Sequence, residues 1–344
     1  MTNSRYPDRW TRRLFQNHDR RHTYTGQTSA ALCSWRDEFR TDLRSLFGFP
    51  VIENNGLSDR RPFCLGTTKE GNHERQDWRI RTEVGFQLPF YLLLPDEPNP
   101  PYPVAVTLHG HGAGGRDVCV GRPETTEQRT QITDERRDIA LQAVERGYAV
   151  VVPAMRGLAE LANHSDETLG YRPCHTLQLH AQLFGRSLMG DRVWDVARLL
   201  DFIEDRSDFD DERILVTGHS SGGAVALFTA AIDERIDVAA VSSYFCTFEE
   251  SIAAVDHCEC NYVPGITKLG EQYDIAGLIA PRPFVAVNGV EDDIFPIEGT
   301  KSAFERLKPI YTAADAPEQC TLSIGDGGHR YHPDGVWPFV DDRL

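Results

Sequence analysis

The sequence predicts an α/β protein built on a mostly parallel central sheet flanked by helices, preceded by an N-terminal helical segment. Three observations carry this expectation. Short apolar runs with the composition of buried strands recur along the chain, at 104–108, 148–152, 214–216, 238–241, 284–287 and 320–324. Helical stretches stand between them, at about 134–146 and 190–205, and such alternation lays strands parallel and covers both faces of a sheet. The stretch 213–231, RILVTGHSSGGAVALFTAA, joins one apolar run to a small-residue helix through a tight Gly-rich turn.

Taken in order, residues 1–27 are Arg-rich and polar and read as irregular. Residues 28–47 place Leu32, Trp35, Phe39, Leu43, Leu46 and Phe47 on one helical stripe, which Gly48 and Pro50 are expected to stop. Residues 62–94 read as β structure: 78–82 alternates, 90–94 is an apolar run, and Glu83-Val84-Gly85 supplies a turn. The run 104–108 leads into His109-Gly110-His111-Gly112-Ala113-Gly114-Gly115. Thr133 is the expected N-cap of the 134–146 helix. Residues 156–186 form a long mixed loop, and long loops in compact domains are usually functional.

Composition excludes several classes. The net charge is −16, with no basic patch to offset it, which argues against nucleic acid or an anionic membrane as partner. No run of 18 apolar residues exists to span a membrane, and the N-terminus shows no apolar signal-peptide region. A cytoplasmic location is therefore expected, with the eight cysteines reduced.

The chemistry centres on Gly218-His219-Ser220-Ser221-Gly222. Strand, Gly-x-Ser-x-Gly and helix in that order are the context of a nucleophile elbow, which presents Ser220 at a helix N-terminus. A serine hydroxyl needs a base, and the base an orienting acid, in chain order Ser, Asp or Glu, His. Asp292 is the favoured acid in NGVEDDIFP (288–296), with Asp293 and Glu291 behind it and Glu249 and Glu250 weaker. His329, in the Gly-rich last loop, is the favoured base, with His332 as runner-up. Backbone N–H groups of Ser221 and His111 are the expected oxyanion hole. Arg156 and His109 are weaker substrate-binding candidates, from their position after strands.

With these parts assembled, the chain resembles the α/β-hydrolase superfamily over roughly 85–344, and more narrowly its dienelactone-hydrolase and acetyl-xylan-esterase-like branch. LHGHGAGG (108–115), GHSSGG (218–223), the 288–296 segment and GGH (327–329) carry the likeness. Dienelactone hydrolases have a Cys nucleophile where this chain has Ser220, so that particular activity is not expected. The resemblance implies an eight-stranded sheet and ester hydrolysis without a cofactor. Residues 1–60 are then an N-terminal helical extension packing on the core, and 61–344 the catalytic domain. The expected function is a serine esterase acting on a small-molecule ester, of a short acyl group or a sugar. A serine exopeptidase on the same triad and a non-catalytic binding protein are the alternatives.

The segment His257-Cys258-Glu259-Cys260 carries soft ligands. A structural zinc site needs four. No second Cys/His pair stands at finger-like spacing, and His257 with two thiolates would need a distant partner such as Cys246. The segment is therefore read as substrate loop or packing, with no metal site. His164, Cys174, His175 and His180 are read as pocket lining.

Overall fold

The computed structural model describes residues 10, 11, 13–15, 18–26, 28–55, 59–112 and 114–344. The strands are β1 (Phe63–Glu70), β2 (His73–Glu83), β3 (Phe86–Pro95), β4 (Tyr102–Leu108), β5 (Ala149–Pro153), β6 (Phe209–His219), β7 (Val238–Ser242), β8 (Phe284–Gly289) and β9 (Cys320–Gly325). They form one sheet in the order β1-β2-β3-β5-β4-β6-β7-β8-β9. From β5 through β4 to β9 every pairing is parallel. The first three strands are antiparallel and extend one edge. The sheet thus has nine strands rather than eight: β1 pairs in register from Phe63↔Arg79 to Glu70↔His73, although its side chains are mostly exposed. An exposed edge strand lacks the apolar signature by which the others are legible.

The parallel strands are apolar on both faces, and alternate residues serve two cores. Val104, Val106, Leu108, Ile214, Val216, Ala239, Val241, Phe284 and Ala286 face helices Leu188–Glu204 and Ser221–Ile232. Ala105, Val150, Leu215, Ala240, Val285 and Val287 face Ile139–Val144 and Pro333–Asp341, where Trp337 fills the layer. This period of two on a doubly covered sheet is why the strands read as unbroken apolar runs.

Helix Ser29–Leu46 buries Phe39, Leu43 and Phe47 in the first core. The Phe47 ring meets Phe228 of helix Ser221–Ile232 edge-on at 5.2 Å between centroids. The Arg40 guanidinium donates to the carbonyl of Ala231, at that helix's end.

Helix Ser29–Leu46 stops just before Gly48, as expected, but helical structure resumes at once. Gly48 adopts φ +88°, which a residue without Cβ tolerates, and a second helix, Phe49–Asn54, starts with Pro50 in its first turn. The expected 134–146 helix shortens to Ile139–Val144, and its expected N-cap, Thr133, is instead the last residue of a separate helix before it. Thr126–Thr133 is capped by a Thr125–Gln128 capping box, and Ile139–Val144 follows a bend where Arg136 has φ +56°. The loop 156–186 contains helices His164–Thr168 and His175–Leu183. Within 1–27, read as irregular, residues 10, 11 and 13–15 are helical, and much of the remainder lies outside the described residues.

After β4 the chain first adds β5 on one side and then β6 on the other. The carboxyl ends of β4 and β6 flank this reversal, the place where open α/β sheets leave a crevice for ligands.

Candidate active site

β6 delivers His219 and Ser220 to that crevice. Ser220 has φ +57° and ψ −118°, a conformation that costs a non-glycine residue about 1–3 kcal/mol and persists only where its surroundings impose it. They do so here by close approach: a Cβ on Gly222 would lie 2.0 Å from the Leu108 carbonyl oxygen, and one on Gly218 2.5 Å from the Gly222 backbone. The Ser220 amide donates to the Ser242 carbonyl at 3.0 Å, tying the turn to β7. Helix Ser221–Ile232 begins at Ser221, whose N–H is among the first-turn donors that no helix carbonyl reaches.

The loops after β8 and β9 bring two further candidates together. His329 Nδ1 lies 2.9 Å from Asp292 Oδ2. The other carboxylate oxygen, Oδ1, accepts the amides of Ile294 and Phe295, each at 3.0 Å. The Asp292 side chain is fully buried and that of His329 is 15% exposed. The imidazole stacks on Phe295 at 5.8 Å and lies 4.7 Å from the tilted His219 ring. Asp293 and Glu291 are exposed and make no such pair. His332 is buried behind this layer, its Nε2 3.3 Å from the Gly328 carbonyl.

Ser220, Ser221, His111 and His329 all line one cleft of about 710 Å³, with Asp292 behind it. No hydrogen bond joins Ser220 Oγ to His329 among the described residues. Gly112, Arg137, Arg172, His257, Asn261 and Phe295 complete much of the wall. Arg137 donates to the His111 carbonyl at 2.7 Å and so anchors the loop after β4. Burial pushes His111 down to about 3 and His257 down to about 4, and cationic neighbours including Arg172 act in the same direction, so both rings are neutral near pH 7.

The two weaker substrate candidates sit elsewhere. Arg156 is held between Asp195, at 2.6 and 2.7 Å, and Glu83, at 2.5 Å. It lines a separate cavity of about 840 Å³, alongside Arg186 and Asp191. Its guanidinium is the counter-ion of the buried acids Glu83, Asp191 and Asp195. His109 is buried beneath the crevice, with Nδ1 3.0 Å from the Gly110 carbonyl, and does not line the cleft. Burial holds it down to about 4.

Two buried neighbours of the Ser220 turn were not among the expected site residues. Arg192, buried on helix Leu188–Glu204, donates to Ser221 Oγ at 3.1 Å and to the Arg156 carbonyl at 2.8 Å. His219 is wholly buried beside His329. Arg192 shares the buried side of its helix with Asp191 and Asp195, a charged group within an otherwise apolar stretch.

The cysteines also depart from expectation. Cys174 and Cys258 form a disulfide, and Cys33, Cys64, Cys119, Cys246, Cys260 and Cys320 are free. The paired residues stand 84 positions apart, a proximity that only the packing of the two cleft loops creates.

A strained serine elbow, a His–Asp pair beyond it and a parallel sheet with this strand order define an α/β-hydrolase. The chain belongs to the Abhydrolase family (Abhydrolase_7), whose family model matches residues 16–322, reaching well before residue 85. A curated relative from Bacillus subtilis (strain 168), provisionally named hydrolase YtaP, is 26% identical over 283 residues, covering 79% of this chain and 89% of its own. Among solved structures, a provisionally named acetyl xylan esterase from Bacteroides fragilis NCTC 9343 superposes with TM-score 0.78 at 17% identity, covering 94% of this chain and 83% of that one. A glucuronoyl esterase from Caldicellulosiruptor kristjansonii gives 0.62 at 19% identity, covering 95% and 91%.

Proposed function

We propose that the protein is a serine hydrolase of carboxylic esters. The observation that carries this reading is the 2.9 Å contact between His329 Nδ1 and Asp292, on the cleft where the elbow presents Ser220. Ser220 Oγ attacks the ester carbonyl as His329 Nε2 accepts its proton. The tetrahedral alkoxide is held by the Ser221 and His111 N–H groups. Its collapse expels the alcohol, which takes the proton from His329, and leaves an acyl-enzyme. Water, deprotonated by His329, then attacks the acyl carbon, and the proton passes from His329 to Ser220 Oγ as the acid leaves. Asp292 stays ionised throughout; it fixes the imidazole tautomer and stabilises the imidazolium.

The substrate class follows from the cleft and its relatives. The volume suits a small-molecule ester. Structural neighbours named as acetyl xylan and glucuronoyl esterases favour an ester of a carbohydrate. No described helix is long and apolar enough to cross a membrane. We place the enzyme in the cytoplasm, a setting in which the Cys174–Cys258 pair would be held reduced. We assign the catalytic domain to 61–344, with 1–60 as an extension packed on it.

A fluorophosphonate probe followed by peptide mapping tests the nucleophile. The adduct is expected on Ser220, and Ser220→Ala is expected to lose both the adduct and hydrolysis of p-nitrophenyl acetate while keeping its thermal midpoint. A folded wild-type protein that takes no label would overturn the reading. Faster turnover of aminoacyl p-nitroanilides than of the acetate would replace it with an exopeptidase.

A further inference from the structure

We propose that His111, Cys174, Cys258 and Cys260 form a four-ligand zinc site in the reduced protein, fastening three cleft loops to one another. Their ligand atoms all lie within 4.8 Å of one another. His111 Nε2 stands 3.7 Å from Cys260 Sγ. Tetrahedral zinc with Zn–S of about 2.3 Å and Zn–N of about 2.0 Å sets N and S about 3.6 Å apart, and two sulfurs about 3.8 Å apart. Cys174 and Cys260 are fully buried and Cys258 nearly so, and with Leu188 they form a small cluster separate from both cores.

The four residues come from three segments with no regular structure in common: the loop after β4, the loop 156–186, and the stretch beyond β7. Other contacts already tie these segments. His175 pairs with Glu259 at 2.9 Å, next to Cys174 and Cys258 respectively. The Asn261 amide donates to the Cys258 carbonyl at 3.0 Å, closing the turn that carries Cys258 and Cys260. Three thiolates and a neutral imidazole around Zn²⁺ carry net charge −1. Arg137, bonded to the His111 carbonyl, and Arg172, bonded to the His257 carbonyl, place two cations beside it.

The disulfide between Cys174 and Cys258 is the competing state. Its Cα atoms are 7.1 Å apart, beyond the usual disulfide span of about 4.4–6.8 Å. It also leaves Cys260 and His111 beside it, joined only by the 3.7 Å contact between Sγ and Nε2. A dithiol reductant converts the disulfide to two thiols and is itself oxidised. On binding Zn²⁺ the three thiols release three protons to solvent, and the metal undergoes no redox change. Four protein ligands leave no open position, so the site is structural. Its consequence for the cleft is positional: it holds His111, whose backbone N–H is the oxyanion donor proposed above. Metal content is read without any turnover, so this inference and the esterase reading fail separately.

The test uses the full chain reduced with a dithiol, loaded with zinc and freed of excess by gel filtration. Elemental analysis is expected to find one zinc per chain, and the cobalt-loaded protein is expected to show the ligand-field and thiolate charge-transfer bands of tetrahedral cobalt. Cys260→Ser leaves both disulfide partners in place and is expected to lose stoichiometric zinc. Cys33→Ser with Cys64→Ser, at two exposed sites, is expected to keep it. Alkylation mapping reports whether Cys174 and Cys258 are free. Wild-type protein without zinc after this treatment would overturn the proposal, whether the thiols are free or still bridged. So would full zinc in Cys260→Ser. If that variant does not fold, a wild-type cobalt spectrum lacking thiolate charge transfer is equally decisive against it.

Discussion

At the scale of single residues, the Asp292 carboxylate is fully committed: two backbone amides hold one oxygen and His329 the other. Asp292→Asn keeps the size of the side chain but presents an N–H where the imidazole needs an acceptor, so the tautomer is wrong. Its kcat on p-nitrophenyl acetate is expected to fall by about 10³- to 10⁴-fold. An effect under tenfold would remove Asp292 from the triad and return weight to exposed Asp293. A second residue-scale expectation concerns acid. Burial holds His109 down to about 4 and His219 well below the ordinary imidazole value, and His109 Nε2 and both His219 ring nitrogens lack partners among the described residues. Unfolded, both protonate near about 6.5. Between those values the unfolded chain binds more protons on these rings, so their contribution to stability is complete above about pH 6.5 and declines as pH falls toward 4, by up to about 1.4 kcal/mol per pH unit for each ring, against the opposite slope of Glu271 and Asp274, which burial raises to about 7 and about 6. Urea midpoints measured from pH 7 down to 4.5 check this, and His109→Gln is expected to flatten the slope.

At the scale of elements, the elbow works because β4 and the start of helix Ser221–Ile232 touch backbone to backbone. A methyl group at position 222 would meet the Leu108 carbonyl at 2.0 Å, and a carbonyl in a buried strand cannot swing aside as a side-chain end could. Gly222→Ala is expected to cost about 3 kcal/mol, by overpacking, and to weaken labelling of Ser220 through the displaced turn. A melting temperature unchanged from wild type would show that the close approach is absent. The same elements explain why the motif was legible: the glycines, the strand and the helix are contiguous in sequence, and each is required locally. The buried group of Arg156, Arg186, Glu83, Asp191 and Asp195 was not legible, because its members come from separate strands, turns and helices.

At the scale of the whole molecule, helix Ser29–Leu46 contributes to the main core rather than to a core of its own. Phe39 has no exposed surface and stacks on His22 and against Trp35. Phe39→Ala is expected to destabilise the entire protein by about 3–5 kcal/mol in one cooperative denaturant transition. A separate early transition, with the remaining chain unaffected, would make 1–60 an autonomous attachment. The family match beginning at residue 16 accords with shared packing.

Sequence alone determined the parallel strands, the Gly-x-Ser-x-Gly turn at Ser220 and the order of the acidic and Gly-His loops that follow it. Each of these rests on local chemistry: a doubly covered strand must be apolar throughout, and a tight turn must be glycine-rich. Only tertiary structure brings the Asp292 carboxylate to the His329 imidazole while its neighbours Glu291 and Asp293 stay exposed. Only tertiary structure removed Arg156 and His109 from the cleft and gathered His111, Cys174, Cys258 and Cys260. Those outcomes depend on where loops distant in sequence come to rest. Loop positions are set by burial and pairing across the fold, and no local spacing encodes them.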